Sequence, residues 1–153
     1  MDSETTIIGI VLILICIIPF VLINKKKATK RRNKLKILTD SVQKMNGTIH
    51  KNEFWNHYGI ALDKTNKMIY FSTQNDDENS YEVISLKSIT VCSVTKTEDN
   101  SKSITALGLQ LDFADKSKPN VYLSFYERDS NLFLVNELDI IQRWSSTINE
   151  QLS

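Results

Sequence analysis

The sequence predicts an α+β protein that is anchored in a membrane near its N-terminus and continues into a domain rich in β-strands. Three observations lead to this prediction. Residues 7–23 form an apolar run. After Gly47 the apolar residues alternate with polar ones, as they do in strands, and residues 131–152 return to a helical period. A series of strands followed by one helix is typical of α+β folds, or of a barrel closed by a helix.

The first predicted element is a transmembrane helix at 7–23, within an N-terminal segment of residues 1–24. Its sequence, IIGIVLILICIIPFVLI, contains no charge and would rise roughly 25 Å, close to the lower limit for crossing a hydrocarbon core. A cleaved signal peptide would need basic residues before the run, but the sequence there is MDSETT. A buried core helix would need a polar face. We therefore expect a single uncleaved span.

A basic collar follows the span. Residues 25–36 carry eight bases and no acid: Lys25, Lys26, Lys27, Lys30, Arg31, Arg32, Lys34 and Lys36. The positive-inside rule then predicts a single-pass protein of the cell (inner) membrane, with its N-terminus outside and its C-terminal domain in the cytoplasm. The first six of these bases are expected to contact anionic headgroups, each contributing about 1 kcal/mol. Basic runs also bind nucleic acid, but beside a membrane span we expect the lipid role and no nucleic-acid partner.

Residues 25–47 combine this collar with a predicted helical connector. Leu35, Leu38, Val42 and Met45 recur at helical spacing, and Gly47 is a plausible helix stop. The apolar stripe favours packing against the following domain. A parallel homodimer through the same stripe remains an alternative.

Residues 48–153 are predicted to form the domain, with about seven antiparallel strands. Residues 58–63 and 67–73 flank the polar turn KTN and predict a hairpin. Further strands are expected at 80–85, 89–97, 107–113 and 121–126, with a weaker one in TIHKNEFW. In the last strand Val121, Leu123 and Phe125 are expected to face the core. Tyr122 and Tyr126 are then expected on the exposed face, where they could form a partner surface.

The final predicted element is a helix over 131–152, capped by Asp129 or Ser130. Its expected apolar stripe has Trp144 at one edge and consists of Leu134, Leu138, Ile141, Ile148 and Leu152. The strands would form a barrel or bent sheet that this helix closes.

Four stretches carry a resemblance to a known family: WNHYGIALDKTNKMIYFS, ISLKSITVCSV, LGLQLDFADKSKPNVYLSFYE and NELDIIQRWSSTINEQL. Together they resemble the small bacterial membrane-anchored proteins with a pleckstrin-homology-like (PH-like) domain, over roughly residues 49–152. The resemblance implies a bent, partly open seven-stranded barrel that binds ligands at loops or at an open strand edge. Many PH domains bind phosphoinositides through a basic first hairpin loop. Here that loop is expected to be DKTNK, in a region (37–153) of net charge −5, so a protein or peptide partner is preferred.

The sequence contains no motif that indicates catalysis. Its four glycines are not clustered, so no phosphate loop is expected, and neither G-x-S-x-G nor H-E-x-x-H occurs. His50 and His57 are interpreted as surface or capping residues, and the acids at 76–78 as a solvated loop. Cys16 and Cys92 are interpreted as apolar fillers. No metal and no cofactor are therefore expected.

The sequence as a whole favours a non-enzymatic, membrane-tethered interaction module that binds a protein or peptide. One alternative is a structural protein that assembles with itself, or supports a membrane complex, through the connector. The other is an enzyme with an unrecognised site.

Overall fold

The computed structural model describes residues 29, 32–56, 58–72, 81–128 and 134–152. The chain divides into two units, Met1–Ser41 and Val42–Ser153, so the second unit begins inside the predicted connector. The predicted span at 7–23 lies outside the described residues, as do Lys25, Lys26, Lys27, Lys30 and Arg31 of the collar. No helix among the described residues is long and apolar enough to cross a membrane.

The described residues form two α-helices, seven strands and one 3₁₀ turn. Helix α1 covers residues 32–44. The strands are β1 (Lys51–Trp55), β2 (Tyr58–Asp63), β3 (Met68–Ser72), β4 (Glu82–Ser85), β5 (Ile89–Glu98), β6 (Ile104–Phe113) and β7 (Val121–Glu127). The 3₁₀ turn, Leu86–Ser88, joins β4 to β5, and helix α2 covers Glu137–Leu152.

The strands pair antiparallel into two sheets, in the orders β1-β2-β3-β4 and β5-β6-β7. The α+β class and the final helix are therefore confirmed, whereas the described strands do not pair into one closed barrel. The weak strand in TIHKNEFW is confirmed as β1. Consequently the loop DKTNK connects β2 to β3 and is the loop of the second hairpin. The expectation that it is the first hairpin loop is wrong. The first turn lies between Trp55 and Tyr58, which pair with each other.

One hydrophobic core joins the inner faces of both sheets to one face of α2. Its fully buried members include Ile60, Leu62 and Ile69 of the first sheet, Leu107, Leu109, Leu111 and Leu123 of the second, and Ile141, Trp144 and Ile148 of α2. Burying a side chain of this size contributes about 1.5–3 kcal/mol. The two sheets thus pack against one common core, although no hydrogen-bonded ladder joins them among the described residues.

Helix α2 differs from the prediction in its first residue and in the face that it buries. The helix begins at Glu137, whose buried carboxylate accepts hydrogen bonds from the Val135 and Asn136 backbone N–H groups at 2.7 and 3.0 Å. Residues 134–136 are not helical, and residues 131–133 of the predicted helix lie outside the described residues. The predicted caps Asp129 and Ser130 lie outside the described residues. Trp144, expected at the edge of the apolar stripe, is fully buried at its centre, and Leu138 is exposed.

Polar side chains fasten α2 to an edge strand of each sheet. Asn149 holds both backbone groups of Cys92 on β5: its Oδ1 accepts the N–H at 3.1 Å and its Nδ2 donates to the carbonyl at 2.8 Å. On β1, the Glu53 carboxylate accepts Trp144 Nε1–H at 2.8 Å and pairs with Arg143 at 2.7 Å. The backbone of Cys92 on the β5 edge is therefore satisfied by the helix, which limits unwanted pairing of this edge with other chains.

A β-bulge in β7 changes which side chains face the core. Ser124 pairs with Gly108 and Tyr126 with Leu107, so Phe125 has no partner on β6. Because two residues of β7 oppose one register position, the alternation of faces breaks at this point. Phe125 and Tyr126 are consequently both buried.

The bulge also connects the two sheets. Trp55 on β1 donates its indole N–H to the Phe125 carbonyl at 2.9 Å, in a buried position, and its ring stacks on Phe125 with centroids 4.5 Å apart. Tyr58 and Phe71 extend this aromatic cluster from the first sheet. A directed bond between buried groups of different sheets restricts their relative position more than apolar contact does.

Replacing Trp55 by Phe should reduce the free energy of unfolding by about 1–3 kcal/mol, because the buried Phe125 carbonyl loses its donor. Tyr58→Phe is the matched control, since no side-chain hydrogen bond of Tyr58 is present among the described residues, and it should cost less than about 0.5 kcal/mol. Thermal and urea denaturation of the full-length protein in detergent measure both. Equal losses in the two variants would contradict the importance of the Trp55 bond.

Candidate functional site

The outer face of the first sheet, opposite the core, is itself covered. Antiparallel partners share a face, so the register places Ala61 opposite Tyr70, and Asp63 opposite Met68, on this outer side. An outer face open to water would leave these side chains exposed, but Ala61, Asp63 and Tyr70 are all buried. Residues 42–48 provide part of the cover.

Helix α1 ends in a Schellman motif that brings the chain onto this face. Gly47 N–H donates to Val42 O at 2.9 Å, and Asn46 N–H donates to Gln43 O at 3.0 Å. Asn46 has a φ of 53°, as the residue after the helix end requires. The stop was predicted at Gly47, but the left-handed residue is Asn46.

Gly47 is needed for a close approach. A Cβ at this position would lie 2.7 Å from Val42 Cγ1, 2.9 Å from Asp63 Oδ2 and 3.1 Å from Tyr70 Oη. Any side chain at residue 47 would therefore push the connector away from the sheet.

The buried Asp63 carboxylate holds the connector and the β2–β3 turn together. Its oxygens accept Thr48 N–H at 2.9 Å, Asn66 N–H at 3.1 Å and Asn66 Nδ2 at 2.8 Å. Asn66 Nδ2 also donates to Asn46 O at 3.3 Å. Burial raises the pKa of Asp63, but the hydrogen bonds from Thr48 and Asn66 outweigh it and bring the pKa below its usual value. The site is thus built around an ionised acceptor with a structural role.

His50 lies beside this carboxylate, with Nδ1 3.7 Å from Asp63 Oδ1 and 3.0 Å from Thr48 O. This placement agrees with its interpretation as a capping residue. Within the described part of the chain, no three His, Cys, Asp or Glu side chains are grouped as metal ligands would be. His57 and residues 76–78 are not described.

An open cleft of about 270 Å³ lies beside this anchoring point. It is lined by Met45, Asn66, Met68, Tyr70, Ser85 and Lys87. Met45, at the end of α1, is 47% exposed. The two methionines and the tyrosine ring offer adaptable apolar contacts. Asn66, Ser85 and Lys87 add an amide, a hydroxyl and a cation, which are groups suited to recognising a ligand.

The two tyrosines of the predicted partner surface lie in different environments. Tyr122 is 44% exposed and its ring lies over Gly108, where an added Cβ would clash with it. Tyr126 is only 4% exposed, so the expectation that it is exposed is wrong, because the bulge at Phe125 turns it inward. A partner surface around Tyr122 stays a prediction.

The apolar stripe of the connector is split between covered and exposed residues. Leu38 and Val42 are buried within a single chain, whereas Leu35 and Met45 are exposed. Of the six collar residues assigned to lipid contact, Arg32 alone is described, and it is exposed. Self-association through the stripe stays a prediction.

The polar members of this site, Asp63, Asn66, Ser85 and Lys87, were not predicted from the sequence. One local signal was available for two of them. Asp63 and Asn66 are three residues apart in DKTN, and Asp at the start of a turn commonly accepts hydrogen bonds from the backbone that follows. Ser85 and Lys87 meet the others only through the pairing of β3 with β4.

Gly47→Ala should destabilise the protein by about 1–3 kcal/mol, because neither the β-branched Val42 nor the hydrogen-bonded Asp63 can move away easily. Gly108→Ala is the comparison: there the obstructing group is the exposed ring of Tyr122, which can rotate, so the loss should be smaller. Thermal denaturation of both full-length variants tests this. A larger loss in Gly108→Ala would contradict the proposed packing at Gly47.

Asp63→Asn should also destabilise the protein by about 1–3 kcal/mol at pH 7. Because folding lowers the pKa of Asp63 below the unfolded value of about 3.9, the carboxylate adds stability above that pH and loses it as the pH falls through the folded-state pKa. The difference in melting temperature between wild type and variant should therefore be constant from pH 7 to about pH 5 and shrink only as the pH falls below about 3.9. The exposed substitution Asp40→Asn is the control, and a difference that stays constant below about pH 3.9 as well would contradict this role.

Comparison of the chain with models of protein families, with curated proteins and with solved structures found no match.

Proposed function

We propose that this chain is a non-enzymatic, membrane-tethered interaction module whose cytoplasmic PH-like domain binds a protein or peptide partner. In this proposal residues 7–23 span the cell membrane with the N-terminus outside, and the basic collar contacts anionic headgroups. The assignment to the PH-like family is part of the proposal. It is supported by the order of elements, in which a four-stranded and a three-stranded antiparallel sheet precede one helix that contacts both.

The observation that carries the proposal is the cleft beside β4. Its volume of about 270 Å³ lies just below the roughly 300–1,000 Å³ of pockets that enclose whole small molecules, so it suits one or two side chains of a larger partner. None of its six lining residues is Asp, Glu, His or Cys. The lining therefore offers groups that can recognise a ligand. It offers no carboxylate or imidazole base that could activate a nucleophile.

The neighbouring edge of β4 supports binding of an extended segment. Leu86 N–H donates to Lys67 O at 2.8 Å. In an antiparallel ladder such bonds alternate, so the backbone groups of Val83 point away from β3. No other strand among the described residues pairs with this edge, and the Val83 side chain is exposed. A peptide that adds a strand to β4 would place alternate side chains on the face that carries the cleft.

The self-assembly alternative receives less support. It requires the connector stripe to be available, but two of its four residues, Leu38 and Val42, are already buried within one chain. We therefore retain partner binding as the conclusion.

The proposal predicts site-specific crosslinking of the full-length protein in its native membrane. A photoreactive residue at Met45 or Val83 should crosslink to a different protein, whereas one at Lys102, in the β5–β6 turn, should not. Val83→Pro removes the outward N–H and should reduce crosslinking at Met45 at least fivefold, whereas Val83→Ala should not.

Three results would contradict the proposal or a part of it. Crosslinks only between copies of this chain would support self-assembly, and no crosslink at either position would exclude the cleft as a partner site. Protease protection of a C-terminal tag in the same membranes tests the orientation, and a tag on the outer side would refute the cytoplasmic placement.

A further inference from the structure

Three segments of the second unit meet beside the cleft. The β2–β3 turn is joined to the 3₁₀ turn by the bond from Leu86 N–H to Lys67 O at 2.8 Å. The residue after β6 is joined to the same 3₁₀ turn by the bond from Ala114 N–H to Ser88 O at 3.0 Å. Lys87, which lines the cleft, lies between these two junctions. Side chains on all three segments are thus brought to one end of the domain.

These segments carry a concentration of positive charge, which we call the basic rim. It consists of Lys64, Lys67, Lys87, Lys116 and Lys118. All are exposed except Lys67, which is half-buried. No ion pair within the described part of the chain involves any of them. Lys118 Nζ lies over the Phe113 ring, 5.9 Å from its centroid, and the other four have no ion-pair partner among the described residues that would compete with a ligand.

Two acids near the rim accept hydrogen bonds and remain ionised. Asp63 is fully buried and hydrogen-bonded. Asp115 accepts hydrogen bonds from its own turn, from Ser117 Oγ at 2.7 Å and Ser117 N–H at 3.0 Å. The Ser117 bonds, with a smaller contribution from Lys118, lower the pKa of Asp115. The five lysines exceed these two carboxylates by three (five minus two), so the rim is positive within a region, 37–153, whose net charge is −5.

We propose that the cleft and the basic rim together bind an extended acidic peptide of a partner protein. One apolar side chain of the peptide enters the cleft between Met45, Met68 and Tyr70, and flanking Asp or Glu residues pair with Lys67 and Lys87. This inference rests on the proposed function and specifies the chemistry of its partner.

Charge and shape together select this occupant. An acidic segment is attracted to the rim, and a basic one is repelled from it. An anionic membrane would also attract the lysines, but a planar surface would leave the concave, methionine-lined cleft unfilled. A peptide uses both features at once.

The test uses the full-length protein in nanodiscs of zwitterionic phosphatidylcholine. The probes are fluorescent decapeptide pools with a central Leu, Met or Phe, flanked by Asp and Glu in one pool, by Asn and Gln in a second, and by Lys and Arg in a third. The acidic pool should bind at least tenfold more tightly than the others. Its affinity should fall about tenfold between 50 and 300 mM salt, as screening of exposed charges requires.

Variants separate the rim from the cleft. Lys67→Gln with Lys87→Gln should weaken binding of the acidic pool at least fivefold and reduce its salt dependence. Met45→Ala should weaken binding without changing the salt dependence. The matched control, Lys96→Gln with Lys102→Gln, removes two lysines from β5 and the β5–β6 turn and should bind as wild type does.

Each remaining outcome overturns a defined part of the argument. Binding of the neutral or basic pool in preference to the acidic pool would refute the acidic partner but leave a peptide-binding module. Binding of no pool would count against the proposed function as well. Undiminished binding by the Lys67/Lys87 variant would refute the rim. If only anionic vesicles, and no peptide pool, were bound through these lysines, the rim would be a membrane contact instead.

Discussion

The hydrogen bond from the Trp55 indole to the Phe125 carbonyl joins the two sheets directly, and helix α2, which bonds to Glu53 and Cys92, joins them a second time. No β-ladder joins the sheets within the described residues, and apolar packing between them tolerates sliding because it has no direction. The bulge supplies the acceptor, since Phe125 has no partner on β6. A local irregularity of β7 therefore adds a directed bond to the packing between the sheets, at a net gain of about 1 kcal/mol for the bond itself.

Helix α2 then determines which strand edges remain open. Asn149 satisfies the backbone of Cys92 on β5, and Glu53 on β1 is held by Trp144 and Arg143. Exposed edges invite uncontrolled pairing, so the satisfied backbone of Cys92 protects the β5 edge at this point. Strand β4 has no such cover from α2 in these contacts, and it is only four residues long, which limits pairing to a short segment. The open cleft lies beside this short edge, on its outer face.

The sequence predicted the elements whose pattern is local. The strand at 58–63 was located to the residue because both its turns are marked by polar residues, and β6 and β7 were recognised from alternation. The predictions were wrong where a single local contact overrides the alternation of a strand or the period of a helix. The bulge at Phe125 turns Tyr126 inward, and at Val135, where a helix was predicted, the backbone N–H donates to the buried Glu137 carboxylate instead. The cleft was missed for a different reason: Met45, Asn66 and Lys87 are brought together by sheet pairing and by the Schellman turn, and no spacing in the sequence reveals that meeting.

Because Asn149 of α2 bonds to the backbone of Cys92, the reactivity of the Cys92 thiol reports whether α2 is docked on the sheet. The thiol is buried, and burial raises its pKa to about 11, so alkylating reagents encounter an unreactive group while α2 is docked. Once the helix detaches, the thiol reaches water and reacts. The alkylation rate of native protein therefore measures the free energy of local helix release, separately from global unfolding. A partner that tightens the domain would slow this reaction without touching the cysteine, so the buried Cys92 sulfur can report an event at the cleft, of whose described lining it is not a member.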